Sequence, residues 1–209
     1  LHLIANSWNT RDLLNCLNTC PKLHMLTLLG LNDNFEEFLQ ENKSNNSFLL
    51  RELTLRSCKS ITGKGFSAML TQLPQLQKIE IKYNDSLQDF QLGSNTLFIS
   101  NVTSIEFDNC SLITNSFVSN LVKSCPHLNT LKVYYCASRA DEPLLIQSSS
   151  LKCLKLKGIK SMQFSKLFSC PQLEELYMDD CPSLTMENFP KLSFVQEITL
   201  VSCTELSVT

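Results

Sequence analysis

The sequence has few of the residues that build phosphate loops, metal centres or membrane spans. Only five glycines occur in 209 residues, and none forms the glycine-rich loop that cradles nucleotide phosphates. The three histidines are not at zinc-binding spacing from the cysteines, and no Cys-x-x-Cys pair occurs. No apolar run approaches the roughly 18 residues of a membrane span. We therefore expect no metal, no cofactor and no membrane insertion.

The chain also lacks a strong charge and a recognisable catalytic constellation. Its 18 basic and 20 acidic residues give a net charge of −2, which provides no field that would attract nucleic acid. The histidines have no partnering Ser, Cys or Asp that can be recognised by spacing. The sequence therefore favours a protein-binding module over an enzyme, and we expect no direct contact with nucleic acid.

What the chain does contain is an apolar pattern that recurs every 22 to 27 residues. The pattern is Leu-x-x-Leu-x-Leu-x-x-Cys/Asn, with other apolar residues allowed at the leucine positions, and all 24 apolar sites are filled. Its eight copies begin at Leu23, Leu50, Leu76, Val102, Leu128, Leu151, Leu173 and Val195. Partial copies occupy Leu1–Asn6 and the residues from Cys203 onward. This period predicts a repeat protein, and we expect residues 1–209 to form one domain of a longer chain.

Each copy of the pattern predicts one short strand, because its leucine positions alternate and turn to the same side. Stacking the copies in parallel would bury these positions as a continuous ladder. Between strands, stripes such as Phe66, Met69, Leu70 and Leu73 predict helices. After Leu128 the copies shorten, and we expect turns or irregular chain there. The predicted fold is an α/β solenoid, with a parallel β-sheet on the concave face and helices or short turns on the convex face.

Most of the ten cysteines have places in this repeat. The ninth site of the pattern, where a small side chain suits a turn, holds Cys58, Cys110, Cys136, Cys181 and Cys203. Cys20, Cys125 and Cys170 each precede a proline that ends the preceding helix. We interpret these residues as reduced thiols, which are typical of a cytosolic or nuclear protein. Cys153 is predicted on the concave face, as a small filler or, alternatively, a reactive thiol.

Three segments resemble the Cys-x-x-Ile/Leu-Thr-Asp signature of cysteine-containing leucine-rich repeats: Cys58–Gly63, Cys110–Asn115 and Cys181–Met186. The aspartate of that signature is absent from all three. The Cys-Pro-x-Leu segments are similar to helix ends of the same subfamily. The resemblance implies a leucine-rich-repeat fold and membership of the F-box proteins, the substrate receptors of Skp1–cullin–F-box ubiquitin ligases, or of their F-box-less relatives. No F-box-like segment occurs in these 209 residues, so Skp1 and cullin would be bound through an F-box outside them.

The resemblance leaves three functions open. The first is the substrate-recognition part of an F-box subunit of such an E3 ligase, nuclear or cytoplasmic, that binds a protein substrate or regulator. The second is a scaffold or inhibitor without ligase activity that acts in cell-cycle control or DNA repair. The third is an enzyme regulator such as a GTPase activator, which the 22-residue copies disfavour because such regulators usually carry longer and more regular helical repeats.

The strand residues between the inward positions must face the concave side and therefore predict where a partner binds. Aromatic and basic side chains that lie close together are typical of interface hot spots. We predict a main contact patch of Lys132, Tyr134, Tyr135, Lys155, Lys157 and Tyr177, with Arg56 and Lys82 as further partner-binding residues. The same residues could instead be an ordinary solvated surface. The lysines could alternatively bind phosphate, as on a phosphorylated substrate.

Overall fold

The computed structural model describes residues 2–6, 9–31, 49–87, 101–136, 144–159, 170–182, 184–185, 189, 192 and 194–203. The strands are β1 (His2–Asn6), β2 (Met25–Leu29), β3 (Glu52–Arg56), β4 (Lys78–Lys82), β5 (Ser104–Asp108), β6 (Thr130–Tyr134), β7 (Cys153–Lys157), β8 (Glu175–Asp179) and β9 (Glu197–Val201). The helices are α1 (Thr10–Thr19), α2 (Gly63–Gln72) and α3 (Asn115–Ser124). Residues 144–150, in one of the shorter copies, contain no helix, as expected.

The strands form one parallel sheet in which each strand pairs with the next along the chain, from β1 to β9. The register is the same at every step: Leu53 lies opposite Ile79, Ile79 opposite Ile105, and Ile105 opposite Leu131. The sheet is open, and the strand order is that of a chain wound in successive coils. The predicted α/β class and the parallel stacking of the repeat strands are confirmed.

The alternation of apolar residues determines which side of the sheet is buried. The second and fourth residues of every strand from β2 to β8 are at most 3% exposed. Burying each such side chain stabilises the fold by about 1.5–3 kcal/mol, an upper figure because unfolded chains are partly compact. The exception is β9, where Ile198 is 44% and Leu200 39% exposed. The prediction that these two side chains are buried is wrong, and β9 pairs with β8 alone among the described strands.

A residue with positive φ follows each strand from β2 to β9 and turns the chain out of the sheet. These residues are Gly30, Ser57, Tyr83, Asn109, Tyr135, Gly158, Asp180 and Ser202. Where the next strand is also described, their N–H groups donate to the carbonyl of that strand's fifth residue, as from Tyr83 to Asp108 (2.8 Å). The hydrogen bond continues the sheet by one residue and fixes the turn. Outside glycine, this backbone conformation costs about 1–2 kcal/mol per residue.

Two residues after the strand, the ninth site of the pattern points into the core. The Cys58 thiol donates to the carbonyl oxygens of Arg56 (3.4 Å) and Leu28 (3.7 Å), and so connects neighbouring coils. Asn84 is fully buried: its Nδ2 donates to the carbonyl of Cys58 (2.7 Å), and its Oδ1 accepts from the N–H of Leu87 (2.7 Å). The small polar side chains at this site therefore satisfy backbone groups inside the coil.

The ten cysteines are all free thiols. Burial raises the pKa of Cys58, and it raises the pKa of Cys181 to about 11. Both groups therefore stay protonated at neutral pH and can act as hydrogen-bond donors. The burial and hydrogen bonds of these thiols agree with the interpretation that the repeat cysteines have a structural role.

The Cys-x-x-Ile-Thr segments form a turn that leads into a helix. The N–H of Ile61 donates to the carbonyl of Cys58 (3.1 Å), which places the Ile61 side chain in the core. Thr62 is the N-cap of α2, and its Oγ1 accepts from the N–H of Gly65 (3.2 Å). Thr114 caps α3 in the same way. Each segment thus supplies a turn, an apolar anchor and a helix cap in succession.

Three aromatic rings join the helices to the sheet at the middle of the chain. The ring centroids of Phe66 and Phe107 are 5.7 Å apart, and each lies within 6 Å of that of Phe117. The rings are tilted or edge-on, which is the arrangement that aromatic pairs prefer. Because Phe66 belongs to α2, Phe107 to β5 and Phe117 to α3, this cluster holds two helices against one strand.

We predict that Phe107→Ala lowers the free energy of unfolding by about 3–5 kcal/mol, because it leaves a cavity between α2, α3 and the sheet. Urea denaturation would measure the change. Leu112→Ala is the matched control, because Leu112 is 40% exposed and its truncation should cost no more than about 0.5 kcal/mol. Similar losses for the two variants would contradict the assigned core.

Candidate functional site

The polar side of the sheet is built by the strand residues that alternate with the buried ones. In most strands the first, third and fifth residues are half-buried while the second and fourth are buried. We call this surface the open face; it comprises the first, third and fifth residues of the strands. Because register is preserved from strand to strand, equivalent residues form columns that run across the sheet.

Six predicted partner-binding residues lie together on three adjacent strands. Lys132 of β6, Lys155 of β7 and Tyr177 of β8 are consecutive members of the third-residue column. Tyr134 and Lys157 oppose each other in the fifth-residue column. The sixth residue is Tyr135, which follows β6 in the left-handed turn. The structure therefore brings these side chains into one patch, which we call the central patch, and its contact with a partner stays a prediction.

The two other predicted residues occupy the same fifth-residue column, further toward the start of the chain. Arg56 of β3 opposes Lys82 of β4, and Lys82 opposes Asp108 of β5. Asp108 in turn opposes Tyr134. Arg56 and Lys82 are thus separated from the central patch by an acidic residue, and they do not extend it as a continuous basic surface.

The lysines of the open face are held by carboxylates that the prediction did not include. Lys132 Nζ lies 3.3 Å from Glu106 Oε2, and Lys82 pairs with the other oxygen of the same glutamate. Lys155 Nζ lies 2.5 Å from Glu175 Oε1, and its side chain is only 27% exposed. Each of these lysine charges is therefore balanced by a carboxylate on a neighbouring strand, and the lysines do not form a free cationic surface.

The ion pairs shift the pKa values of their partners in the expected directions. A hydrogen bond from Lys155 lowers the pKa of Glu175, and a hydrogen bond from Lys157 lowers that of Asp179. The same contacts raise the pKa of Lys155 and of Lys157. All four groups consequently remain charged at neutral pH, and the pairs persist over the physiological range.

One network fixes the aromatic part of the central patch. Lys157 Nζ lies 2.7 Å from Asp179 Oδ2 and 5.5 Å from the centroid of the Tyr135 ring. The Tyr177 hydroxyl donates to the same Asp179 oxygen (3.3 Å). A cation at this distance from a tyrosine ring is attracted by the negative face of the ring. Two of the tyrosines are therefore ordered before any partner binds, which lowers the entropy cost of binding.

Sequence reasoning missed the conformation of Tyr83 and Tyr135. Both tyrosines have left-handed backbones, with φ of 56° and 50°, and their side chains are 56% and 46% exposed. A bulky residue in this conformation is uncommon and is a reason to look for function. The only signal in the sequence is the position, one residue before Asn84 or Cys136 at the turn, and one sequence alone does not reveal φ.

Each of these tyrosines directly precedes the ninth site of its copy. Tyr83 precedes Asn84, and Tyr135 precedes Cys136. At the equivalent place of another copy, Gly158 precedes Ile159. The turn accepts glycine most easily, so the two tyrosines occupy positions where the backbone itself would favour a different residue.

Cys153 lies on the open face, as predicted, and its thiol donates to Glu175 Oε2 (3.1 Å). Burial, together with the Glu175 carboxylate, raises the pKa of Cys153 to about 11. A thiol needs a lowered pKa to act as a nucleophile at neutral pH. The surroundings of Cys153 therefore favour the interpretation as a small filler over that of a reactive group.

Within the described ranges, no three His, Cys, Asp or Glu side chains are arranged to hold a metal ion. None of the helices among the described residues is long and apolar enough to cross a membrane. Comparison of the sequence with protein-family models gave no match, and comparison with curated proteins gave none either.

We predict that Gly158→Ala lowers the free energy of unfolding by about 1–2 kcal/mol, because Gly158 has a φ of 66°. The added Cβ would also lie 2.9 Å from Tyr135 Cε1 and displace the ring. Urea denaturation would measure the loss. Gly65→Ala is the control: it lies in α2, where a Cβ meets Thr62 Oγ1 at an ordinary 3.9 Å, and it should gain about 0.4–1 kcal/mol. Equal stability of the two variants would contradict the assigned turn.

Proposed function

We propose that the chain is a leucine-rich-repeat domain that binds another protein through the open face of its parallel sheet. One observation carries this proposal. The strands from β2 to β8 bury their second and fourth residues, while polar and aromatic side chains stand on the opposite side of the sheet in register. A repeat protein of this construction typically binds its partner on such an extended surface.

The local structure supports the repeat type. The period of 22 to 27 residues lies in the range of leucine-rich repeats. The buried Asn84, which satisfies backbone groups of its own coil and the preceding one, has the role expected at the Cys/Asn site of the pattern. The Cys58 and Cys110 segments have equivalent turns and threonine caps. These features agree with the resemblance to cysteine-containing repeats.

The dimensions of the open face favour a protein ligand. Six strand spacings separate β2 from β8, and at about 4.8 Å each they span roughly 29 Å. A small-molecule site is a concave pocket that buries most of its ligand, whereas this surface is long and presents side chains from many strands. A partner lying across several strands could reach the central patch and the fifth-residue column together.

The central patch is the part of this surface that we assign to the main contact. Its tyrosines belong to the residue types that are enriched at binding hot spots. The Lys157–Asp179 pair and the Tyr177 hydroxyl order one end of the patch, and the Glu106–Lys132 pair orders the other. We therefore expect most of the affinity to come from this region.

In its more specific form, the proposal is that the domain recognises the substrate of an F-box subunit of an SCF-type E3 ubiquitin ligase. The three Cys-x-x-Ile/Leu-Thr segments support this assignment through their resemblance to that family. The domain itself would be non-catalytic, and Skp1 and cullin would bind through an F-box outside these residues. We propose a nuclear or cytoplasmic location from the same resemblance.

The alternative is a scaffold or inhibitor that binds a cell-cycle or DNA-repair protein without recruiting a ligase. The Cys-x-x-Ile/Leu-Thr segments favour it as well, because the repeat type they resemble also occurs in relatives that have no F-box. Full-length protein mixed with purified Skp1 would distinguish the two. A stable complex supports the ligase subunit, and no complex at micromolar concentrations supports the scaffold.

We predict that Tyr134→Ala combined with Tyr177→Ala weakens partner binding at least about 30-fold, because hot-spot truncations cost about 2 kcal/mol or more. The partner would first be captured with the wild-type domain and identified by quantitative mass spectrometry. Its affinity for each variant would then be measured by calorimetry with purified proteins. Thermal unfolding would confirm that the double variant folds.

The matched control is Leu49→Ala combined with Leu112→Ala. Both leucines are exposed, at 44% and 40%, and neither belongs to the open face. This variant should bind the partner as tightly as the wild type does. If the tyrosine variant keeps full affinity, or if only the leucine variant loses it, the open face is not the binding surface.

A further inference from the structure

The strand β9 closely repeats β3. β3 reads Glu-Leu-Thr-Leu-Arg and β9 reads Glu-Ile-Thr-Leu-Val, and both are followed by Ser-Cys. Ser57 and Ser202 have the same left-handed backbone, with φ of 53° and 52°. The Cys58 and Cys203 thiols both donate to the carbonyl of the fifth strand residue, at 3.4 Å in each coil. β9 therefore has the complete geometry of a strand from the middle of the repeat.

The two strands differ in what lies beside them. β3 is followed in the sheet by β4, and its inward Leu53 and Leu55 are at most 1% exposed. The equivalent Ile198 and Leu200 of β9 are 44% and 39% exposed. Repeats that cap a solenoid have a polar outer face, whereas β9 presents two aliphatic side chains. The exposed side of β9 is therefore suited to another strand.

The backbone of β9 also has the groups that such a strand would need. At each of the seven steps from β2 to β9, the carbonyl of the residue before the strand accepts two N–H groups of the next coil, at 2.8–3.0 Å. The residue after the strand donates to the next strand, as Ser57 does to Lys82 (2.9 Å). In β9 these groups are the Gln196 carbonyl and the Ser202 N–H, and neither is paired with a described residue. An acceptor at the start and a donor at the end fit a parallel strand of five residues.

Glu197 adds a preference for positive charge. In β3 the equivalent Glu52 lies 3.9 Å from Lys78, the first residue of β4. Glu197 is exposed and forms no ion pair with another described side chain. β4 reads Lys-Ile-Glu-Ile-Lys, and its isoleucines lie opposite Leu53 and Leu55. A strand that fits β9 therefore begins with a basic residue and has aliphatic residues at its second and fourth positions.

We infer that residues 196–202 form a docking edge, where an extended segment of the protein partner with this sequence pattern pairs with β9 as a tenth parallel strand. The inference rests on the proposed function and names the chemistry of one contact. In strand addition to a sheet edge, main-chain hydrogen bonds give affinity and alternate side chains give specificity.

The position of the docking edge favours the protein partner as the source of this strand. Thr199 of β9 lies opposite Tyr177 of the central patch, so a partner bound at the central patch reaches the docking edge across one strand spacing, about 5 Å. A second copy of the chain cannot supply its own β4, because β4 is paired on both sides within the sheet.

A peptide that copies β4 tests the docking edge before the partner is known. The acetylated and amidated peptide of residues 77–83 would be titrated into the isotope-labelled 209-residue chain and followed by NMR. We expect saturable shifts of the Glu197 and Ser202 amide signals, and slower hydrogen exchange at Ser202 because its N–H would donate to the peptide. A peptide with serine in place of both isoleucines should leave these signals unchanged.

Variants of β9 test the two side-chain preferences. Leu200→Lys should weaken peptide binding at least about tenfold, because it places a charge where an aliphatic contact would be buried. Leu112→Lys is the matched control, since Leu112 is 40% exposed and lies outside β9, and it should bind as the wild type does. Glu197→Lys should weaken binding about threefold, and a peptide with glutamate in place of Lys78 should bind this variant better than it binds the wild type.

The inference is overturned if the peptide does not bind saturably, if Leu112→Lys weakens binding as much as Leu200→Lys does, or if Glu197→Lys keeps the wild-type preference between the charged peptides. Protection of the Ser202 amide in the free full-length protein would assign the edge to a segment of its own chain. Self-association of the 209-residue chain that Leu200→Lys abolishes would assign it to a second copy. Either assignment also overturns the inference. The peptide test does not involve Tyr134, so its failure would leave the tyrosine test of the proposed function standing.

Discussion

The structure depends on the parallel register of one apolar ladder. A single five-residue strand has two inward side chains and cannot bury them alone, so each coil is stable only against its neighbours. The ladder through Leu53, Ile79, Ile105 and Leu131 keeps the same register at each step. A shift of one residue in any pairing would exchange the two faces of that strand and place charged side chains in the core. The fold therefore tolerates little variation in register.

The same constraint produces the open face. Because the inward residues are fixed, the residues between them must stand in columns on the other side of the sheet, whatever their chemistry. Charges in a column meet neighbours at about the strand spacing, and the pairs of Lys132 with Glu106 and of Lys157 with Asp179 follow from this geometry. The surface is thus ordered by its own ion pairs.

Much of this arrangement could be predicted from the sequence, because periodicity reports directly on burial. The strands, the helix of the Phe66 stripe and the columns that contain Lys155 and Tyr177 followed from the spacing alone. The ion pairing of the lysines could not be predicted, since it depends on which carboxylate lies on the neighbouring strand and on the side-chain conformation of each residue. The left-handed backbone of Tyr135 could not be predicted either, because a tyrosine at that position does not indicate a positive φ. Ile198 and Leu200 fit the pattern yet are exposed, since burial also requires a neighbour on both sides.

The most direct test of the account is a set of methyl–methyl nuclear Overhauser effects in the isotope-labelled protein. Leu53, Ile79, Ile105, Leu131 and Leu154 occupy the same inward position of five successive strands. The account predicts cross-peaks between each residue and the next in this series, and none between residues two strands apart. Cross-peaks that skip a strand, or the lack of contacts between neighbours, would show that the ladder does not exist, and the open face would lose its basis.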